Sequence, residues 1–139
     1  MMGALQDTTS IYLQSHHKDM ASIFDAVVME ESAGNPLAAS IKGARGLMQI
    51  TQPAIDDYNT YNRQKMTMDD MWDSGKNKTV GEWYLADRIP KMLKAYKLPV
   101  TTENILWAYN AGIGNVVKGI KPKETVAYID KVMGRVKEK

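Results

Sequence analysis

The 139-residue chain contains no cysteine, one phenylalanine and two histidines, and the histidines are neighbours, His16-His17. Without cysteine there is no disulfide framework and no thiolate metal site. With neither H-x-x-x-H nor H-E-x-x-H spacing, a catalytic zinc is not expected, and no other cofactor is implied. No apolar run approaches the ~20 residues that a membrane-spanning helix needs. The opening stretch Met1-Met-Gly-Ala-Leu-Gln-Asp-Thr-Thr-Ser10 has no basic segment followed by an apolar one, which argues against a Sec-type leader. The net charge of +2 lacks the excess of one sign that announces nucleic-acid binding. Internal repeats, low-complexity segments and Pro/Gly/Ser-rich linkers are also missing, so residues 1–139 are expected to form a single domain with one hydrophobic core.

An apolar fraction of 44% and a charged fraction of 24% are ordinary for a globular protein. Charge is unevenly placed: residues 1–72 hold 5 Lys/Arg against 9 Asp/Glu, and residues 73–139 hold 13 against 7. A basic second half suits an anionic polymer, or simply solvated helix faces. The apolar periodicity is helical throughout, with no alternating run of useful length, and the fold class is all-α. Helices are expected over residues 15–32, with a turn before them near Ser10–Gln14. Others are expected over Gly43–Ile50, Pro53–Tyr61 with Thr51 as N-cap, and Met68–Trp72 with a Thr67/Asp70 capping box. Leu85, Ile89, Met92, Leu93 and Tyr96 mark an amphipathic helix within residues 79–97, which Pro90 must kink or break. Residues 103–111 stop at Gly112, and Gly112 and Gly114 bracket a tight connection. Pro122 opens a last helix with Val126, Ile129, Val132, Met133 and Val136 as its apolar residues.

One acidic position stands out. Met20, Ile23, Phe24, Val27 and Val28 line one helix face at about 100° per residue, and Glu31 falls near the centre of that face. Glu30 lies at its wetter edge. A carboxylate at the core-facing end of an apolar stripe is costly to ionise, which raises its pKa and suits a general acid. On this helix alone, a capped or salt-bridged glutamate explains the residue equally well. Gly34-Asn35-Pro36 stops the helix.

Four stretches in order change the balance. They are Glu31-Ser32-Ala-Gly-Asn-Pro36 followed by Ala39-Ser40; Gly43-Ala-Arg-Gly-Leu-Met-Gln-Ile50; Ala108-Tyr-Asn-Ala-Gly112 with Gly114-Asn115-Val116; and Glu124-Thr-Val-Ala-Tyr128-Ile-Asp-Lys-Val132. Between the second and third, Asn77-Lys-Thr-Val-Gly81-Glu-Trp-Tyr-Leu85 adds an Asn…Gly…Tyr-Leu helix. In this order and spacing, over about residues 20–133, the chain resembles the soluble, Slt-type lytic transglycosylases of the lysozyme-like superfamily. The resemblance implies an all-α, lysozyme-like domain of short helices around a glycan-binding cleft, and peptidoglycan as the partner. It implies Glu31 as the single catalytic acid/base. The bond cleaved would be the β-1,4 link between N-acetylmuramic acid and N-acetylglucosamine, leaving 1,6-anhydromuramyl ends without water.

The same resemblance implies Ser40, Gln49 and Asn110 as uncharged polar contacts to sugar. Met48 and Tyr109 would be apolar cleft walls, Tyr128 a tyrosine beside the acid, and Glu124 a positioning carboxylate at the margin. Read from the residues alone, Met48 and Tyr109 suit a core, and Trp72, Trp83 and Trp107 suit packing better than sugar stacking. Two other readings stand beside lytic cleavage. A hydrolytic muramidase would need a second carboxylate, for which Asp56 and Asp57 are the candidates. A non-catalytic glycan-binding or virion-structural module would have no use for an acid. The short chain and its leaderless start suggest a phage lysis or virion-associated enzyme, monomeric, made in the cytoplasm and reaching the wall through a holin or in the particle; the alternative is an excised domain of a larger protein.

Overall fold

The computed structural model describes residues 17–137. The expected turn at Ser10–Gln14, the opening ten residues, His16 and the last two residues of the basic tail lie outside the described residues. Among those described there is no β-strand, and the chain is all-α as expected. The elements are α1 (His17–Ser32), α2 (Gln52–Asn62), a 3-10 turn (Asp69–Trp72) and α3 (Ser74–Trp83). A π turn (Tyr84–Arg88) follows, then α4 (Ile89–Ala95), α5 (Thr102–Ala111), α6 (Ile113–Lys118) and α7 (Lys123–Lys137). The described residues form two compact units, one made by residues 17–24 together with residues 85–137, the other by Asp25–Tyr84.

In the Asp25–Tyr84 unit, α3 packs on α2 and on the 3-10 turn. Ile55, Met71 and Val80 are fully buried in its core. Helix α2 has Pro53 in its first turn, where a missing N–H costs nothing. Thr51 occupies its N-cap position, but the side chain makes no capping bond. The capping box at the 3-10 turn forms as read: Thr67 N–H donates to Asp70 Oδ2 (2.8 Å) and Asp70 N–H to Thr67 Oγ1 (3.3 Å). Asp73 caps α3 by accepting from Lys76 N–H at 2.9 Å.

In the other unit, α5 is the central helix and packs against α4, α6 and α7. Thr101 Oγ1 caps it, accepting from Asn104 N–H at 3.1 Å. Helix α7 buries Thr125, Tyr128, Ile129 and Val132, an i, i+3, i+4, i+7 stripe. Val126 stands one residue off that stripe and is 43% exposed, so it is not part of the apolar face expected of it.

Two expectations fail here. The segment Gly43–Ile50 is not a helix; it is a folded-back loop with bridges Ala39–Arg45 and Arg45–Ile50. Positive φ angles at Gly43 (93°), Gly46 (78°) and Gln49 (52°) are incompatible with a right-handed helix. The tight connection after Gly112 is instead a six-residue helix, α6. Around Pro90 the helix neither breaks nor simply kinks. Proline lacks the N–H for the bond to the residue four back and its ring crowds that carbonyl; the wider π turn at Tyr84–Arg88 absorbs this before α4 begins.

Candidate functional site

Glu31 lies one residue before the end of α1, on a helix anchored by buried Met20, Ile23, Ala26 and Val27. Glu31 is half-buried, and so is Glu30; burial does not separate the two as the helical wheel suggested. Ser32 closes the helix. Its Oγ donates to Val28 C=O (3.0 Å) and accepts from Gly34 N–H (3.2 Å), while Ala33 and Gly34 turn left-handed with φ of 53° and 82°. The position of Glu31 is thereby set by a terminated helix and not by a loose loop.

The loop that follows carries Ser40, Met48 and Gln49. Ser40 is exposed, and its Oγ accepts from Ala44 N–H at 3.0 Å, with a second bond from Ser40 N–H to Ala44 C=O at 3.0 Å. Gln49 Nε2 donates to Ala38 C=O (3.1 Å) and Gly46 C=O (3.0 Å). Both amide hydrogens therefore brace the loop, and a left-handed glutamine at φ 52° is held by them.

Met48 is corrected by its surroundings. It is 0% exposed, and it lies against Gly81, where an added Cβ would come within 2.9 Å of Met48 Cβ. Met48 is a core side chain with no face for a sugar, and Gly81 is glycine because the sulfur occupies that space.

The residue that organises this loop is Asn77, which was visible in sequence only as part of the Asn…Gly…Tyr-Leu stretch. Asn77 is fully buried. Its Oδ1 accepts from Met48 N–H (2.8 Å), and its Nδ2 donates to Arg45 C=O (2.8 Å) and Met71 C=O (3.0 Å). One amide thus ties the loop and the 3-10 turn to α3. Gly46 fits beneath it because a side chain there would strike Asn77 and the Met71 carbonyl. Arg45 pins the same loop from outside, 3.1 Å from Asp69 Oδ1 and 5.0 Å over the Trp72 ring. Trp72 is accordingly a packing residue.

In the other unit, Tyr109 and Asn110 lie in the last turn of α5, and Glu124, Thr125 and Tyr128 in the first turns of α7. Thr125 Oγ1 donates to Asn110 Oδ1 at 2.7 Å. Asn110 is an exposed residue, and with its oxygen held its Nδ2 is the group suited to donate. Thr125 is the second residue that sequence reasoning passed over, since a threonine on a helix gives no sign of which carbonyl it faces. Tyr109 is half-buried, Tyr128 buried to 9% exposure, and Glu124 exposed. Trp107 is held in structure: its Nε1 donates to Ile120 C=O (2.9 Å) and Lys121 Nζ lies 4.5 Å over its ring.

Of the carboxylates considered for hydrolysis, Asp56 is exposed and accepts from Gln52 of its own helix at 2.8 Å. Glu82, on α3, has its pKa raised above the ordinary 4.5, first by burial and then by the like charge of Asp25, with Lys78 opposing. Among the described residues no group of three or more His, Asp and Glu side chains is gathered to hold a metal ion, and no helix is long and apolar enough to cross a membrane.

A family model for the transglycosylase SLT domain matches residues 9–131. That span takes in Glu31, the Asn77-braced loop, Asn110 and Tyr128. SLT domains act on the peptidoglycan of the cell wall by transglycosylase chemistry, a lyase reaction. The match covers most of the chain, and the chain belongs to the SLT-domain transglycosylase family.

Proposed function

We propose that the protein cleaves the β-1,4 bond between N-acetylmuramic acid and N-acetylglucosamine without water, with Glu31 as acid and then base. The observation that carries this reading is the family match over residues 9–131, a span that holds a glutamate at position 31 near the end of α1. Protonated Glu31 gives its proton to the glycosidic oxygen as the C1–O bond breaks. The sugar's own N-acetyl oxygen stabilises C1 as an oxazolinium ion. The C6 hydroxyl then bonds to C1, and its proton returns to Glu31. Nothing is consumed but the bond, and the carboxyl group is restored. An ordinary glycosidase needs a second carboxylate as nucleophile or as base for water. Here the nucleophile is part of the substrate, which gives it a large proximity advantage.

Ser40 and Asn110 are proposed as sugar contacts through a hydroxyl and an Nδ2 amide that carry no charge. Gln49 is proposed as a brace of the same loop, with its amide oxygen as the group left to face substrate. Tyr109, Glu124 and Tyr128 complete the proposed set, Tyr128 as a contact to the N-acetyl group and Glu124 as a positioning carboxylate on the same helix.

The test is mass spectrometry of soluble fragments released from purified peptidoglycan, with Glu31→Gln in parallel. Anhydromuramyl ends from the native chain and none from the variant are expected. Reducing muramic acid ends would make the enzyme a hydrolase and overturn the water-free step.

A further inference from the structure

Tyr58 and Tyr61 stand three residues apart on α2, Trp83 ends α3, and Tyr84 opens the π turn. Their rings form one cluster with Trp83 at its hub: 5.4 Å and edge-on (88°) to Tyr58, 6.2 Å to Tyr61 and 6.1 Å to Tyr84. These distances are those of favourable aromatic pairs. Yet the cluster is not core. The interior of this unit is filled by Ile55, Met71 and Val80, while all four aromatic residues keep exposed surface and Tyr61 is 60% exposed. Tyr61 is exposed and the other three are half-buried, so the cluster forms a partly open aromatic surface, and such a surface on a folded chain is a candidate binding place.

The surroundings narrow what that is. Asp57 and Glu82 adjoin the cluster in sequence. Over Asp25–Tyr84 the chain carries 6 Lys/Arg against 9 Asp/Glu, a balance of −3. Anionic lipid and polyanions are disfavoured there. A glycan offers the matching chemistry: flat C–H faces that stack on indole and phenol rings, and hydroxyls that meet tyrosine O–H groups at the rim.

We propose that Tyr58, Tyr61, Trp83 and Tyr84 form an accessory saccharide-binding platform that takes N-acetylhexosamine units of the glycan strand. None of these residues belongs to the set proposed for bond cleavage. The inference rests on the reading of the chain as a peptidoglycan enzyme for its ligand class, and on the exposed cluster for its place.

The test uses the full chain carrying Glu31→Gln, so that binding is read without turnover. A β-1,4-linked N-acetylglucosamine tetramer is titrated while the indole N–H resonance of Trp83, assigned through Trp83→Phe, is followed by NMR. In parallel, co-sedimentation with insoluble sacculi measures affinity. The Trp83 resonance is expected to shift saturably. Tyr61→Ala is expected to weaken sacculus binding at least fivefold, and Tyr61→Phe, which keeps the ring, to restore most of it. Tyr96→Ala, which removes an equally exposed tyrosine elsewhere, is expected to bind like its parent. A Trp83 signal that ignores the tetramer, or Tyr61→Ala binding as tightly as its parent, overturns the platform. Failure of the cleavage chemistry would show separately, as missing anhydromuramyl ends from the unaltered chain, and leaves both binding measurements readable.

Discussion

Asn77→Ala removes the amide that joins the Gly43–Ile50 loop to α3. Three hydrogen bonds vanish together: Met48 N–H loses its acceptor, and Arg45 C=O and Met71 C=O each lose a donor. Arg45 C=O keeps a second bond, from Ile50 N–H at 2.9 Å, so the largest costs fall on the other two groups. A buried polar group deprived of its partner costs about 1–3 kcal/mol. Two such groups plus the small void give a loss of roughly 3–4 kcal/mol, a large share of the ~5–15 kcal/mol that holds a domain of this size. Urea and thermal unfolding followed by circular dichroism are the assays, and the melting temperature is expected to fall by about 10–15 °C. Asn77→Asp sharpens the argument, because it keeps the shape and the Met48 bond but turns a second oxygen toward two carbonyls. That carboxyl has its pKa raised, so the folded state holds its proton at pH values where the unfolded chain has lost it. The variant's deficit is therefore expected to be greatest at neutral pH and to shrink as pH falls toward about 4. A loss below about 1 kcal/mol for Asn77→Ala, or a pH-insensitive deficit for Asn77→Asp, would refute the role given to this amide.

Gly81→Ala pushes a methyl group to 2.5 Å from Met48 Sδ and is expected to cost about 1–3 kcal/mol in the same unfolding assay; a neutral result would mean that the Met48 packing gives way freely. Glu82→Gln removes a carboxylate whose ionisation is penalised by burial and by Asp25. With the folded pKa raised, that penalty is absent below pH 4.5 and complete above the folded pKa, so melting curves should show the variant more stable at pH 7 and equal to the native chain in acid. Thr125→Val keeps the shape and removes the donor that fixes Asn110. It is expected to lower kcat/KM on peptidoglycan about tenfold, the equivalent of one hydrogen bond, with Thr125→Ser close to native and the melting point nearly unchanged in both.

The helices that carry their own punctuation were legible in the sequence. Helix α1 ends where Gly34 and Asn35 said it would, α5 starts at a capping threonine, and the Thr67–Asp70 box closes as spaced. These are contacts within four residues, where the helical period and the cap chemistry dominate. The loop from Gly43 to Ile50 read as a helix because Ala44, Leu47 and Met48 fit the period, and nothing local reveals that Asn77, about thirty residues on, supplies its hydrogen bonds. The same distance hid the fate of Met48, which follows from an empty space at Gly81 and not from its neighbours in sequence. In the site, Glu31 and Asn110 were recognisable as motif positions. Thr125 was not, since its function exists only through a partner fifteen residues away on another helix. The six-residue α6 was masked by Gly112 and Gly114, whose presence normally signals a turn.

The burial of Met48 has a chemical consequence of its own. In a chain with ten methionines and no cysteine, oxidation at sulfur falls on thioethers alone. Met48 and Met71 are sealed from solvent, while Met29 is 42% exposed on α1. Conversion of Met48 to its sulfoxide would place a new polar oxygen in the space that even a methyl group on Gly81 cannot share. Peroxide should therefore mark Met29 long before it reaches the sulfur beneath the loop. Survival of the loop's geometry under oxidative stress then depends on how seldom that loop opens, and hence on the buried Asn77 amide together with the Gln49 and Arg45 contacts that hold it.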